Sequence, residues 1–327
     1  RTWLQTVLPI VLIMLVGLAL RLWFVSVNEL QPTNSPADDG DYYQRALRFA
    51  TTGHYIDDFW LIRPPLHVFL FTMMLRFSIM LGNVDGLMLI RGAQIVLSLI
   101  AIPIGYDLAR RLFGRRPGFV FAGMLAVWYP LVELPTHLFT EPLFIMLLLL
   151  HLWLLVMWRD ERRWLLLVLS GIMLGLTALT RSVGMYGAVF VLFWLLVDAL
   201  FDAGGRQDAG DGKVRAEPHA KAQRTQRSAQ EPRIPRISRI AARLPMMVRR
   251  SLLFLLAMAA VILPWTYRNY VVYERFIPID TIGSVNLWLH MEKYEEKGVE
   301  ILKQMPQRDR HVFSDRKSTR LNSSHYS

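Results

Sequence analysis

Eight stretches of this chain are apolar for 17 to 22 residues at a time: residues 3–24, 65–81, 87–108, 117–134, 142–158, 164–180, 184–201 and 251–271. At a rise of 1.5 Å per residue, about 20 such residues cross the roughly 30 Å hydrocarbon core of a bilayer. Inside that core every backbone N–H and C=O needs a partner within the protein, which only helices and closed barrels provide. Runs of this length and density point to helices. The expected fold class is all-α, a polytopic membrane helix bundle. Composition agrees: 53% of the 327 residues are hydrophobic and the mean hydropathy is +0.30. There is no cysteine, which excludes disulfides, thiolate metal sites and cysteine nucleophiles.

The formal net charge of +11 would suggest a nucleic-acid partner in a soluble protein. Here the excess sits between apolar runs, where cytoplasmic loops carry it, so no nucleic-acid partner is expected. Three connections are basic: residues 110–116, residues 159–163, and the long stretch 202–250 that closes with Arg249-Arg250. Placing all three in the cytoplasm gives seven spans, provided 65–81 does not cross. That stretch is short, opens on Pro64-Pro65 and carries Arg76, so it reads as a helix at the interface or packed against the bundle. The segment after the first span then faces outward as a juxtamembrane helical loop. Residues 202–250 are poor in apolar side chains and expected to lack regular structure, with the basic second half suited to anionic membrane lipids. Gly171 and Gly175 form a small-xxx-small pair fit for close helix contact.

Residues 1–290 read as one membrane module, with 291–316 the start of an outward-facing segment. The chain starts at Arg1 rather than Met and is expected to be a fragment. Residues 317–327 (KSTRLNSSHYS) resemble translated vector sequence and are expected to be non-native.

The chemistry gathers at outward ends of spans. Asp38-Asp39-Gly40-Asp41-Tyr42 leads into a short amphipathic helix expected over Asp41–Thr52, which Asp38 or Asp39 could cap and Gly53 could end. A carboxylate there could act as general base on an acceptor hydroxyl, and Asp38, Asp39 and Asp41 could hold a divalent metal. They could equally cap the helix. Arg63 before Pro64-Pro65 could clamp a lipid phosphate with its planar fork, or lie among headgroups. His137 and Glu141 open a nearly uncharged span; Glu141 either faces the same cavity as the aspartates or complements the helix dipole. Arg181, Arg268, Asn269, Asn286 and Tyr42 complete the candidate substrate-binding set. No Walker loop, H-E-x-x-H or G-x-S-x-G occurs, so nucleotide hydrolysis, zinc proteolysis and serine-hydrolase chemistry have no support.

Taken in order, these motifs resemble the C-type glycosyltransferases that include protein O-mannosyltransferases and the aminoarabinose transferase of lipid A. The marks are Asp38-Asp39 with Tyr42, Arg63-Pro64-Pro65, the Arg111–Arg116 turn, Thr140-Glu141-Pro142-Leu143-Phe144, Gly175 to Arg181, and Pro264 to Asn269. Asp39 stands where the family usually has Glu. The resemblance implies a sugar donor on a polyprenyl phosphate and an acceptor hydroxyl on a glycan, lipid or protein. It implies transfer with inversion on the periplasmic face of the inner membrane. Asp38 would be the base, Arg63 would hold the departing phosphate and Glu141 would shape the cavity; metal use stays open. A transporter or channel subunit, or a catalytically inactive scaffold, are the competing readings. A transporter would carry buried charges or broken helices near mid-membrane.

Overall fold

A computed structural model describes residues 2–28, 38–55, 61–82, 84–210 and 236–281. Asn286, residues 211–235, 291–316 and the 317–327 tail lie outside them. Among the described residues the protein is helical, with no strand. The helices are α1 (Thr2–Val27), α2 (Asp38–Thr52), α3 (Pro65–Met80), α4 (Gly86–Phe113), α5 (Arg115–Val127), α6 (Tyr129–Glu133), α7 (Glu141–Glu161), α8 (Trp164–Thr180), α9 (Gly187–Gly210) and α10 (Arg236–Tyr273).

Among the described residues four helical segments have the length and apolarity to cross a membrane: Gln5–Val27, Gly86–Phe113, Glu141–Glu161 and Pro245–Tyr273. A further pair, α5 and Tyr129–Thr136, has that length and apolarity only when the two are taken together, and they are bent by 52°. The protein is therefore a multi-pass helical membrane protein. The other two of the seven expected spans correspond to shorter apolar helices, Trp164–Thr180 and Ser182–Asp198.

The bend has an identifiable cause. Pro130 lacks the N–H that the Ala126 carbonyl needs four residues on, so the helix is interrupted at Trp128, whose backbone is extended. Arg21, fully buried in the C-terminal part of α1, supplies the missing donors. Its guanidinium donates to Ala126 O at 2.9 Å, Leu125 O at 3.0 Å, Gly17 O at 2.9 Å and Ser98 Oγ at 2.7 Å. A charge at such depth is tolerated because every side of it meets an acceptor. The expected uninterrupted span 117–134 thus becomes two helices stapled by an arginine.

The chain divides into two compact units. The first, residues 1–185 and 257–327, holds α1–α8 and the C-terminal part of α10. Within it α4 packs on α5 and α7, α7 on α8, and α2 on α3. Gly175 lets α8 approach α10 closely: a Cβ there would stand 2.9 Å from Val261 Cβ and 3.0 Å from Met258 O. The second unit, residues 186–256, contains α9 and the start of α10, where Arg250 pairs with Asp198 at 3.7 Å. The 202–250 stretch is helical at both of its ends. Residues 202–210 continue α9 and 236–250 begin α10.

Helix α2 begins at Asp38, three residues before the expected start, and ends at Gly53, whose φ of +73° favours glycine. Its Tyr42 and Ala46 pack on Val68, Phe71 and Leu75 of α3 and Ile90 of α4, with Leu138. α3 is thus packed against the bundle. Arg76 within it lies over the Phe49 ring at 5.5 Å and reaches Phe49 O at 3.4 Å, near the C-terminus of α2.

Candidate active site

The first wall is built around Arg63. Pro64 and Pro65 fix the chain in an extended turn before α3, and the Arg63 side chain folds under the first turn of α2 with 2% of it exposed. Its Nε donates to Asp41 Oδ2 at 2.8 Å and its Nη2 to Asp38 Oδ1 at 3.0 Å. The guanidinium lies 4.8 Å from the centre of the Tyr42 ring. Asp41 is shared with Arg45, whose Nε donates to Asp41 Oδ1 at 2.9 Å. Burial works against the Arg63 charge, but Tyr42, Asp41 and Asp38 more than offset it and hold its pKa above the ordinary arginine range. Burial raises the Tyr42 phenol above its ordinary range, with Arg63 acting in the opposite sense. Asp38 keeps 42% of its side chain in the open.

The second wall is the segment leading into α7. Three polar side chains on α3 and α4 donate to its backbone: Arg91 Nε to Thr136 O at 3.3 Å, His67 Nε2 to Leu138 O at 3.1 Å, and Gln94 Nε2 to Phe139 O at 2.9 Å. All three are buried. Because Leu138 O only accepts, the His67 proton sits on Nε2. Burial, partly offset by that hydrogen bond and reinforced by the Arg181 charge, lowers the His67 pKa to about 4. Glu141 opens α7, and Arg181 closes α8 beside it. Arg181 Nη1 bonds Glu141 Oε1 and sits 3.2 Å from Thr140 Oγ1, with the guanidinium 6.0 Å from the Phe144 ring centre.

The third wall is the segment after α10. Trp265 Nε1 donates to Ile279 O at 2.8 Å, Thr266 Oγ1 to Pro278 O at 2.8 Å, and Asn269 Nδ2 to Ile277 O at 3.1 Å. Thr281 then ties to Ile62, one residue before Arg63, through Ile62 N to Thr281 Oγ1 at 3.1 Å. Asp280 thereby joins Arg63 in lining the cleft.

Together the walls enclose a cleft of about 460 Å³ lined by Asp38, Tyr42, Arg63, Phe139, Thr140, Glu141, Arg181 and Asp280, among others. That volume is within the range of small-molecule sites.

Residues 63–202 match the family model of dolichyl-phosphate-mannose-protein mannosyltransferases. The matched stretch contains Arg63, Glu141 and Arg181, and the match supports the C-type glycosyltransferase family that the motifs suggest. It covers less than half of the chain and includes neither Asp38–Asp41 nor the Pro264–Asn269 motif. No curated protein and no solved structure matches the chain.

Of the residues singled out by sequence, the cleft brings together Asp38, Tyr42, Arg63, Glu141 and Arg181. Asp41 stands behind Arg63. Asp39 is buried and accepts from Gly40 N at 2.9 Å. His137 stacks on Phe139 at 4.8 Å and lies 3.4 Å from Glu133 Oε1, adjoining the cleft without being part of its lining. Asn269 and Arg268 support the third wall instead: Asn269 is fully buried, and Arg268 lies against the Tyr55, Trp265 and Tyr273 rings at 4.8–5.4 Å. Among the described residues no three potential ligands converge on a point that would hold a metal ion. Asp38 and Asp41 are turned to Arg63, so these carboxylates do not fit a metal site as they stand. Asp280 and the donors His67, Arg91 and Gln94 escaped sequence reasoning, and Thr140 entered it only as a motif residue beside Glu141. Polar side chains inside otherwise apolar helices were the available signal for the three donors.

Proposed function

We propose that the cleft transfers a sugar from a polyprenyl-phosphate donor to an acceptor hydroxyl, with inversion, on the outer face of the cell membrane. The observation that carries this reading is convergence: four separated chain segments place Asp38, Arg63, Glu141 and Arg181 around one open cleft at one end of a membrane bundle. The family match over residues 63–202 supports the donor class. The basic connections sit at the opposite helix ends, after α4 and after α7, which favours an outward cleft by the positive-inside rule.

In this mechanism the Asp38 carboxylate takes the proton of the acceptor hydroxyl. The acceptor oxygen forms its bond to the anomeric carbon as the bond from that carbon to the phosphate oxygen breaks. The polyprenyl phosphate leaves with the electron pair. Sequence reasoning placed the leaving phosphate on Arg63. The geometry favours another role, because Arg63 is buried and already holds two carboxylates. Leaving a buried charge unpaired costs about 3–5 kcal/mol, while an exposed pair is worth only about 0–1 kcal/mol. Arg63 therefore orients Asp38. Tyr42 packs beneath that pair, and Asp39 and Asp41 complete the acidic first turn of α2.

The test is transfer of radiolabelled sugar from defined polyprenyl-phosphate sugars by purified protein in lipid, with the anomeric configuration of the product read by NMR. Inverted product supports the reading. Retained configuration, or no transfer across mannose, glucose and aminoarabinose donors, counts against it.

A further inference from the structure

The two arginines that line the cleft are not equivalent. Arg63 is 2% exposed and its fork is closed by Asp38 and Asp41. Arg181 is 43% exposed and faces a single carboxylate, Glu141, itself 35% exposed. Guanidinium presents the same planar donor fork to a carboxylate and to a phosphate. A carboxylate seated on an accessible arginine at a cleft wall thus occupies the position a phosphate would take.

Charge points the same way. Asp38, Glu141 and Asp280 outnumber Arg63 and Arg181 in the lining of the cleft, so an entering anion needs a cation released to it. Releasing Arg63 would strand two carboxylates beside a buried charge. Releasing Arg181 costs one solvent-exposed pair, and Glu141 can turn to water. Thr140 Oγ1, 3.2 Å from Arg181 Nη1, offers a hydroxyl to the same anion, and Val183 presents apolar surface beside Arg181.

We propose that the Glu141–Arg181 pair is an internal stand-in for the donor's phosphate: the lipid phosphate displaces the Glu141 carboxylate and is held by Arg181. The inference rests on reading the cleft as the donor site. It makes Glu141 a competitor of the phosphate, which a purely supporting carboxylate would not be.

The experiment is equilibrium binding of farnesyl phosphate to the purified protein, with farnesol and inorganic phosphate as parallel arms. Arg181→Ala should weaken farnesyl phosphate binding about ten- to a hundred-fold, toward the farnesol value, and Arg181→Lys should recover part of the loss. Glu141→Gln should bind farnesyl phosphate several-fold more tightly than wild type. Arg111→Ala, at the far end of α4 and outside the cleft, should bind it within about twofold of wild type. Inorganic phosphate should fail to displace farnesyl phosphate at equal concentration. Unchanged binding in Arg181→Ala, or weaker binding in Glu141→Gln, would overturn the exchange. Equal displacement by inorganic phosphate would overturn the lipid-linked assignment. Binding is read without turnover, so a protein that shows these shifts but transfers no sugar would leave the exchange standing and remove the transferase reading. The converse result would do the reverse.

Discussion

The bundle carries two clusters of arginines and carboxylates, one at each end, and they behave differently. At the basic end Asp107 accepts from Arg110 Nε and Arg111 Nε at 2.7 Å and from Trp153 Nε1 at 2.8 Å, while Arg111 also reaches Asp160 at 3.2 Å. Every charged side chain of that cluster is partly in solvent. At the cleft end Arg63 is buried between Asp38 and Asp41 beside open volume. Helix α7 spans the distance, with Glu141 near one end and Asp160 near the other, about 29 Å apart at helical rise. The same residue types appear at both ends. What separates a topology signal from a candidate reaction centre is burial next to a cavity.

The largest expected contrast is sidedness. Thr52→Cys, exposed at the end of α2, should be labelled in intact cells by a membrane-impermeant thiol reagent. Phe113→Cys, exposed at the end of α4, should be protected until the membrane is opened. The absence of native cysteine keeps the background clean. The reverse pattern would turn the cleft to the cytoplasm and break the outward reading.

Next in size is the cost of removing each arginine. Arg63→Ala leaves two carboxylates in and beside a buried site and should cost about 3–5 kcal/mol in thermal or denaturant unfolding. Arg111→Ala at the other end should cost about 1 kcal/mol or less. Equal losses would show that burial does not distinguish the clusters.

A smaller effect concerns His67. Its folded pKa of about 4 lies below the ordinary 6.5, so the unfolded chain takes up the proton first as pH falls. Its contribution is complete above about pH 6.5 and is lost as pH drops from there toward 4, by up to about 3 kcal/mol. His67→Gln keeps an N–H for Leu138 O without titrating. Melting temperature against pH should be flatter for that variant than for wild type across this window. Parallel curves would mean that His67 is not held neutral.

Much of this was legible in the sequence. The apolar runs gave the helical class, Gly53 marked a helix end where φ is positive, and the spacing of Gly171 and Gly175 indicated close packing. Asp38, Tyr42, Arg63, Glu141 and Arg181 were all found as motif residues. What was hidden was mostly partnership across the sequence. Nothing local says that Arg63 is paired with residues 22 and 25 positions upstream, or that Asn269 and Trp265 serve the backbone of 277–279. Pro130 was a readable breaker inside 117–134, but the fate of the carbonyl it frees depends on Arg21, more than a hundred residues earlier.

The most direct measurement compares the two ends in one transfer assay. Asp38→Asn keeps the shape of the side chain but cannot take a proton, so sugar transfer should fall by about 10²–10⁴-fold at matched protein levels. Asp107→Asn, at the basic end, should transfer within a few-fold of wild type. Near-normal transfer by Asp38→Asn, or an equal collapse in Asp107→Asn, would contradict the assignment of the chemistry to the cleft.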